Sequence, residues 1–146
     1  MKQFSFDLEN ILDIRKYREQ EAEIALGRAV GDLTRIERNI DAVANEKARV
    51  SLERFALGYG VAELLTFDRY VQRLDTAKEQ LIKEAAQAEL NVEAARAIYL
   101  EASRERDALD EVKSDEAAEY RKAVFNEEAK ALDDIAGSTY MKRRSL

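Results

Sequence analysis

Apolar residues in the first third of the chain recur at alternating steps of four and three positions. The row is unbroken between Ala22 and Val43, while the other rows carry charged residues such as Arg28, Asp32 and Arg35. This spacing is the heptad repeat of a coiled coil, in which the apolar face of one helix packs against a second helix. The pattern predicts a first helix from about residue 7 to about residue 57.

Two glycines, Gly58 and Gly60, interrupt this pattern and allow backbone conformations that a continuous helix disfavours. A turn is therefore predicted over about 58–65. Thr66 is a suitable N-cap for a new helix, because its hydroxyl can accept a hydrogen bond from a free backbone N–H. Asp68 would then lie in the first turn, where the helix dipole favours a negative charge.

The second helix has its own heptad row, which extends from Phe67 to Leu109. After Leu109 the apolar spacing slips by one step through Val112, which indicates a local change in the winding of the seam. No residue favours a helix end before Gly137. We predict a second helix over about 66–136 and a basic C-terminal tail over 137–146.

Two heptad rows joined by one turn predict an all-α fold, a long antiparallel two-helix coiled coil that forms a single domain over 1–146. If the chain folds back near residue 60, facing residues have numbers that sum to about 122 to 125. Arg54 then faces Asp68, and Glu19 faces Arg106. The same geometry leaves the second helix overhanging the first as a single helix from about residue 116 onward.

The composition agrees with this fold and excludes much chemistry. The 146 residues include no Pro, Cys, His or Trp and only five Gly, with 46% hydrophobic and 37% charged residues. Without Cys and His there is no thiol nucleophile, imidazole base, zinc finger or disulfide. The abundant carboxylates lie on solvated helix faces rather than in a pocket that would shift their pKa. We therefore expect no enzymatic activity, no metal site, no cofactor and no small-molecule substrate.

The formal net charge is −6, with most of the acidic excess in the second helix. Such a surface repels phosphate backbones, so we expect no nucleic-acid partner. The chain ends in a basic cluster, Lys142, Arg143 and Arg144. Charged residues interrupt every apolar run that could form a signal peptide or a membrane span, which predicts a cytoplasmic protein.

Aromatic residues cluster where a two-helix fold cannot bury all of them. Aromatic side chains are common anchors at protein interfaces, so both ends of the hairpin are candidate docking sites, although the two N-terminal phenylalanines could simply staple the start of the first helix. On the overhang, an apolar row without an intramolecular partner implies self-association or another protein. The residues concerned are Phe4, Phe6, Tyr59, Phe67 and Tyr70 at the ends, and Tyr120, Phe125 and Tyr140 on the overhang.

The segment 4–16 resembles the F-x-F-x-L-x-x-[VI]-L-x-x-R start of the flagellar export protein FliJ family. Its matching positions are Phe4, Phe6, Leu8, Ile11, Leu12 and Arg15. The segment 67–74 is similar to the aromatic-x-x-aromatic-aliphatic-x-x-Leu stretch that opens the second helix of that family. The resemblance extends over nearly the whole chain and implies the same antiparallel two-helix coiled coil.

The resemblance implies a non-enzymatic stalk of the flagellar type III export apparatus, similar to the gamma subunit of rotary ATP synthase. Such a stalk binds the ring of the export ATPase (FliI), links it to the export gate protein (FlhA) and escorts export chaperones. It would be cytoplasmic and peripheral at the inner face of the membrane. By resemblance and position, the ATPase-binding residues would be Leu12, Arg15, Lys16, Glu19, Ala22, Lys142, Arg143 and Arg144. Those for the export gate would be Tyr70, Val71, Leu74 and Ala77.

Two alternatives remain open at this point. One is the equivalent stalk of a virulence type III secretion system. The other is a generic coiled-coil chaperone or tether that holds apolar segments of clients. The stalk interpretation predicts a monomer, with weak self-association through the overhang still open, whereas the tether interpretation predicts oligomers without a specific ATPase partner.

Overall fold

The computed structural model describes residues 2–56 and 58–145, and these residues form two helices and no strand. The first helix, α1, extends over Glu9–Arg54, and the second, α2, over Val61–Arg144. The two helices pack against each other, which confirms the prediction of an all-α two-helix hairpin. The predicted end of the first helix at about residue 57 falls on Leu57, which lies outside the described residues.

The chain divides into two compact units, and each helix contributes to both. The first unit contains residues 1–18 and 103–146, and the second contains residues 19–102. The prediction of a single domain over the whole chain stays a prediction.

In the second unit, the predicted heptad rows are the rows that pack. Ala22, Ile36 and Val50 of α1 are buried, as are Ala88 and Val92 of α2. The heptad positions between them are half-buried. Small and branched side chains dominate this seam because the backbones of two helices approach closely only over such residues.

Two ion pairs fix the antiparallel register of the second unit. The Lys47 Nζ lies 2.6 Å from the Asp75 Oδ1, and the Arg54 Nη1 lies 2.5 Å from the Asp68 Oδ1. The second pair is the one that the folding-back geometry predicts. In both pairs the two residue numbers add up to the lower end of the range predicted for facing residues. Both pairs are partly exposed, so they specify alignment more than they stabilise the fold.

The first unit has a small core at the start of α1. Phe6, Leu12 and Leu109 form a buried cluster, and Phe4 packs against it. The Lys113 Nζ lies 2.7 Å from a carboxylate oxygen of Glu9, which pairs the two helices within this unit. Every residue of this core lies either near the chain start or in the second half of α2, so it forms only when the hairpin closes.

The predicted slip of the seam at Val112 is wrong. Val112 is exposed, whereas Lys113, Ala117 and Tyr120 continue the packed row beyond Leu109. Lys113 occupies a seam position because its aliphatic stem can cover apolar surface while its ammonium group reaches Glu9. The pattern of apolar residues therefore predicted the wrong seam position, because the residue that occupies it, Lys113, is charged.

The second helix begins earlier than predicted, at Val61 instead of about residue 66. The Gly60 N–H donates to the side chain of Glu63, and the Leu64 N–H donates to the Gly60 carbonyl. This is the carboxylate half of a capping box, with Gly60 as the N-cap. Thr66 is not a cap, because its hydroxyl donates to the Ala62 carbonyl inside the helix at 3.0 Å.

The second helix also ends later than predicted, because it continues through Gly137 to Arg144. A single glycine costs a helix only about 1 kcal/mol relative to alanine, which does not end a long helix. The Thr139 hydroxyl donates to the Ile135 carbonyl and so follows the helix. The segment 137–144 is therefore helical rather than a separate tail, and its basic residues occupy the last turn, where the helix dipole favours positive charge.

Candidate partner-binding surfaces

The residues before α1 form a strap, defined here as residues 2–8, that packs on α2 within the first unit. The Phe4 and Tyr120 ring centroids are 5.5 Å apart, and the Tyr120 hydroxyl donates to the Lys2 carbonyl. Phe6 is only 7% exposed, and its carbonyl accepts a hydrogen bond from the Glu9 N–H at the start of α1. Phe4 and Phe6 thus serve mainly to close this part of the hairpin.

The strap corrects one expectation about the overhang. Tyr120 was expected to lie on a helix without an intramolecular partner, but it packs against the strap. The reason is that the chain before α1 runs alongside α2 and extends the paired region beyond the helical residues of α1. Further along the described part of α2, several large apolar side chains are exposed, and these are Phe125, Leu132, Ile135, Tyr140 and Met141.

The residues predicted to bind the ATPase divide into buried and exposed groups. Leu12 is fully buried, and Ala22 is 6% exposed. The Arg15 Nη1 donates to the Glu105 carbonyl at 2.8 Å, so part of its donor capacity is used within the first unit. Lys16, by contrast, is exposed. The predicted set therefore mixes seam residues, which hold the fold, with residues that a partner can reach.

Glu19 belongs to the second unit and is half-buried. Its predicted pairing with Arg106 stays a prediction. Arg106 itself makes an ion pair with Asp110, 2.5 Å from Nη1 to Oδ2, within the first unit. The three C-terminal cations that complete the predicted ATPase set, Lys142, Arg143 and Arg144, are exposed in the last turn of α2.

The residues predicted to bind the export gate lie mostly along the seam of the second unit. Val71 and Leu74 are half-buried in the heptad row, whereas Ala77 is exposed. The Tyr70 hydroxyl donates to the Glu46 Oε1 at 2.9 Å across the hairpin. Much of this set is therefore engaged in holding α1 and α2 together.

A charged cluster surrounds that tyrosine. Arg49 donates two hydrogen bonds to Glu46 and one to Glu53. The Arg49 guanidinium and then the Tyr70 hydroxyl stabilise the charged carboxylate, which lowers the pKa of Glu46 to about 2. The same contacts raise the pKa of Arg49 and the pKa of Tyr70 above their ordinary values, with the hydrogen bond to Glu46 as the largest cause in both.

The turn of the hairpin carries an exposed apolar patch that the sequence analysis did not identify. The patch consists of Leu52, Phe55, Val61 and Leu65, and the exposed fraction of Phe55 is 82%. Beside it, Tyr59 and Phe67 pack edge to face with ring centroids 5.1 Å apart. The signal that could have revealed the patch is the heptad itself, since all four residues lie outside the two seam rows. We call these four residues the tip patch.

In comparison with known families, the model of the flagellar FliJ protein matches residues 4–145 of the chain. The chain belongs to the FliJ family. It is therefore a component of flagellar type III protein export, and the resemblance seen in the sequence is confirmed. Searches of curated proteins and of solved structures found no match to the chain.

The opening pattern that marks the FliJ family has a structural reason in this chain. Phe6 and Leu12, two of its fixed positions, form the buried cluster with Leu109, and Phe4 packs beside them. Arg15, the last fixed position, donates to a carbonyl of α2. The pattern thus encodes how the chain start attaches to the second helix.

Within the described residues, neither helix contains a stretch apolar and long enough to cross a bilayer. The same residues contain no group of three or more acidic side chains placed to hold a metal ion.

Proposed function

We propose that this chain is the non-enzymatic stalk of the flagellar export apparatus, which binds the export ATPase FliI and the export gate protein FlhA and escorts export chaperones. The family match over residues 4–145 supports this role. The fold supports this role as well, because each unit has exposed side chains outside the seam that a partner protein can contact. We propose that the protein acts at the inner face of the membrane through these contacts.

For the ATPase contact, we propose the exposed cations of the first unit, Lys16 and the cluster of Lys142, Arg143 and Arg144. Exposed basic side chains can pair with acidic groups of a partner and accelerate association. Leu12 and Ala22 contribute indirectly, since they are buried and hold the helices that display these cations.

The experiment for this contact is a pull-down of purified export ATPase with three variants. We expect Lys142→Gln/Arg143→Gln/Arg144→Gln and Lys16→Glu to weaken binding. A control triple variant, Arg35→Gln/Arg38→Gln/Lys83→Gln, changes the net charge equally at exposed sites of the second unit and should bind like the wild type. Equal binding by all variants would remove the basic surface from the proposal, and no binding by the wild type would remove the ATPase contact.

For the gate contact, we propose Ala77, which is exposed further along α2, and the tip patch at the turn. Exposed apolar patches on a charged protein mark interaction sites. Leu52→Ser/Phe55→Ser should weaken capture of the cytoplasmic part of the gate protein. The control Ile82→Ser/Leu90→Ser alters two exposed apolar side chains of the same unit that lie outside the tip patch, and it should have little effect. Equal loss in both variants would argue against a specific patch.

The fold is the same as that expected for the equivalent stalk of a virulence secretion system, and the family match favours the flagellar one. Deletion of the gene should abolish swimming, and the wild-type chain should restore it. Restored secretion of virulence effectors with no effect on swimming would favour the virulence stalk instead. A sedimentation measurement addresses the tether interpretation, because the stalk proposal expects a monomer.

A further inference from the structure

Two arginines of α2 lie on the side of the helix that faces away from α1. Arg69 and Arg73 follow Leu65 at steps of four residues, and all three are exposed. The seam row of the same segment contains Phe67, Val71 and Leu74, which occupy the other side of the helix. We call Leu65, Arg69, Gln72, Arg73 and Thr76 the outer face of α2.

Neither arginine has an acidic partner among the described residues. None of the residues three or four positions away from either arginine is acidic, and no ion pair involves them. Arg73 makes a cation–π contact instead, in which its guanidinium group lies 5.9 Å from the centre of the Tyr70 ring. Arg49 on α1 shows the contrasting arrangement, since it pairs with both Glu46 and Glu53.

The acidic residues nearby are committed elsewhere. Asp68 pairs with Arg54, and Asp75 pairs with Lys47, both across the hairpin. Like charges four residues apart disfavour a helix slightly, so Arg69 and Arg73 oppose helix formation rather than support it. Folding therefore gives no reason for this pair in a chain whose net charge is −6.

The side chains also form a site of suitable chemistry. Arg69, Gln72, Arg73 and Thr76 line a shallow, open depression on α2. A guanidinium group presents its donors as a planar fork that matches a carboxylate, and the Gln72 amide adds further donors. Leu65, which is 53% exposed, lies one helical turn before Arg69 and adds an apolar side chain to the same side of α2.

We propose that the outer face of α2 binds an acidic peptide segment of a partner protein, with its carboxylates on Arg69 and Arg73. A peptide fits better than a phosphate polymer for two reasons. Two cations neutralise only a few charges, and the acidic remainder of the chain repels a dense polyanion. In addition, Leu65 can contact an apolar residue of a peptide. This site shares Leu65 with the tip patch proposed for the gate contact, but the two arginines that carry it are not part of that contact.

The experiment measures fluorescence anisotropy of a labelled peptide of about ten residues composed of Glu and Leu, with a Gln and Leu peptide as the neutral counterpart. The full-length protein should bind the Glu peptide, and binding should weaken between about 50 mM and about 300 mM salt. Arg69→Gln/Arg73→Gln should weaken binding about tenfold, as the loss of two charge-assisted contacts implies. The control Arg35→Gln/Arg38→Gln should change it less than about twofold.

Several results would overturn this proposal. One is equal weakening in both double variants, which would assign binding to net charge alone. Another is equal binding of the Glu and Gln peptides, and a third is no binding of the Glu peptide to the wild type. Anionic vesicles or oligothymidylate that bind through Arg69 and Arg73 in place of the Glu peptide would assign the site to phosphate. Because neither the ATPase nor the gate protein is used, these results leave the proposed function to its own tests.

Discussion

The hydroxyl of Tyr70 on α2 donates a hydrogen bond of 2.9 Å to the carboxylate of Glu46 on α1. This contact joins the two helices beside the seam, in a segment where Lys47 and Asp75 also pair across the hairpin. Since Arg49 binds the same carboxylate from within α1, the contacts of two side chains, Tyr70 and Arg49, depend on the ionised form of one glutamate.

This cluster predicts a defined pH dependence of stability. The pKa of Glu46 falls from 4.5 to about 2 in the folded state, so the ionised carboxylate stabilises the fold fully above pH 4.5. That contribution should decline as the pH falls from 4.5 towards 2, since the unfolded chain takes up the proton first. Urea unfolding followed by circular dichroism across this range should show a flatter pH profile for Glu46→Gln than for the wild type.

The control for this measurement is Glu37→Gln, which changes an exposed glutamate of α1 and should keep the wild-type profile. Tyr70→Phe should flatten the profile less than Glu46→Gln does, because Arg49 is the larger cause of the lowered pKa. Identical profiles for Glu46→Gln and Glu37→Gln would contradict the role of the cluster.

The two glycines of the turn should differ in their tolerance of a side chain. Gly58 has a φ of 102°, a conformation that L-residues rarely adopt, so Gly58→Ala should lower the free energy of unfolding by about 1 to 2 kcal/mol. At Gly60 an added Cβ would lie 3.6 Å from a Glu63 oxygen, which is an ordinary contact. Gly60→Ala should therefore have a smaller effect in the same denaturation experiment, and a larger effect would contradict this account of the turn.

Adjacent residues at the start of α1 should respond very differently to truncation. Leu12 is fully buried against Leu109, whereas Ile11 is 44% exposed. Leu12→Ala should cost about 2 to 4 kcal/mol through lost burial and the cavity left behind. Ile11→Ala should cost less than about 1 kcal/mol. Chemical denaturation of both variants compares them directly, and similar losses would place the core of the first unit elsewhere.

The absence of cysteine from the chain allows a clean test of register. In the double variant Lys47→Cys/Asp75→Cys, a short bismaleimide reagent should link the two helices within one chain, because the native side chains meet at 2.6 Å. Lys47→Cys/Ile82→Cys places the second cysteine at the same heptad position but about 10 Å further along α2. It should link much more slowly, as judged by gel mobility after brief reaction, and comparable rates would refute the register.

Much of the fold follows from the heptad alone. The apolar row from Ala22 to Val43 correctly marks the packed face of α1, and the row from Phe67 to Leu109 marks that of α2. Arg54 and Asp68 were also paired correctly, since fixed helical rise makes facing positions a matter of counting. These features depend on short, periodic segments of sequence, so they can be predicted without knowledge of the partner helix.

The candidate site was harder to predict than the fold. Val71 and Leu74 carry the family resemblance, yet the structure places them in the seam, and Leu12 is fully buried. A motif records every constraint on a position, and it does not separate a side chain that holds the fold from one that meets a partner. The tip patch and the outer face of α2 could be identified only in the structure, because a side chain is known to be exposed only once the residues that pack in the seam are known.

The sequence by itself determined two helices, one turn, an antiparallel seam and membership of the FliJ family, because heptad spacing, glycine and the opening motif are properties of short segments. The tertiary structure alone decided that the strap packs on Tyr120 and that Lys113 belongs to the seam. It also decided which cations remain without an acidic neighbour. Each of these depends on the distance between residues remote in the chain, and packing sets that distance only after the hairpin has closed.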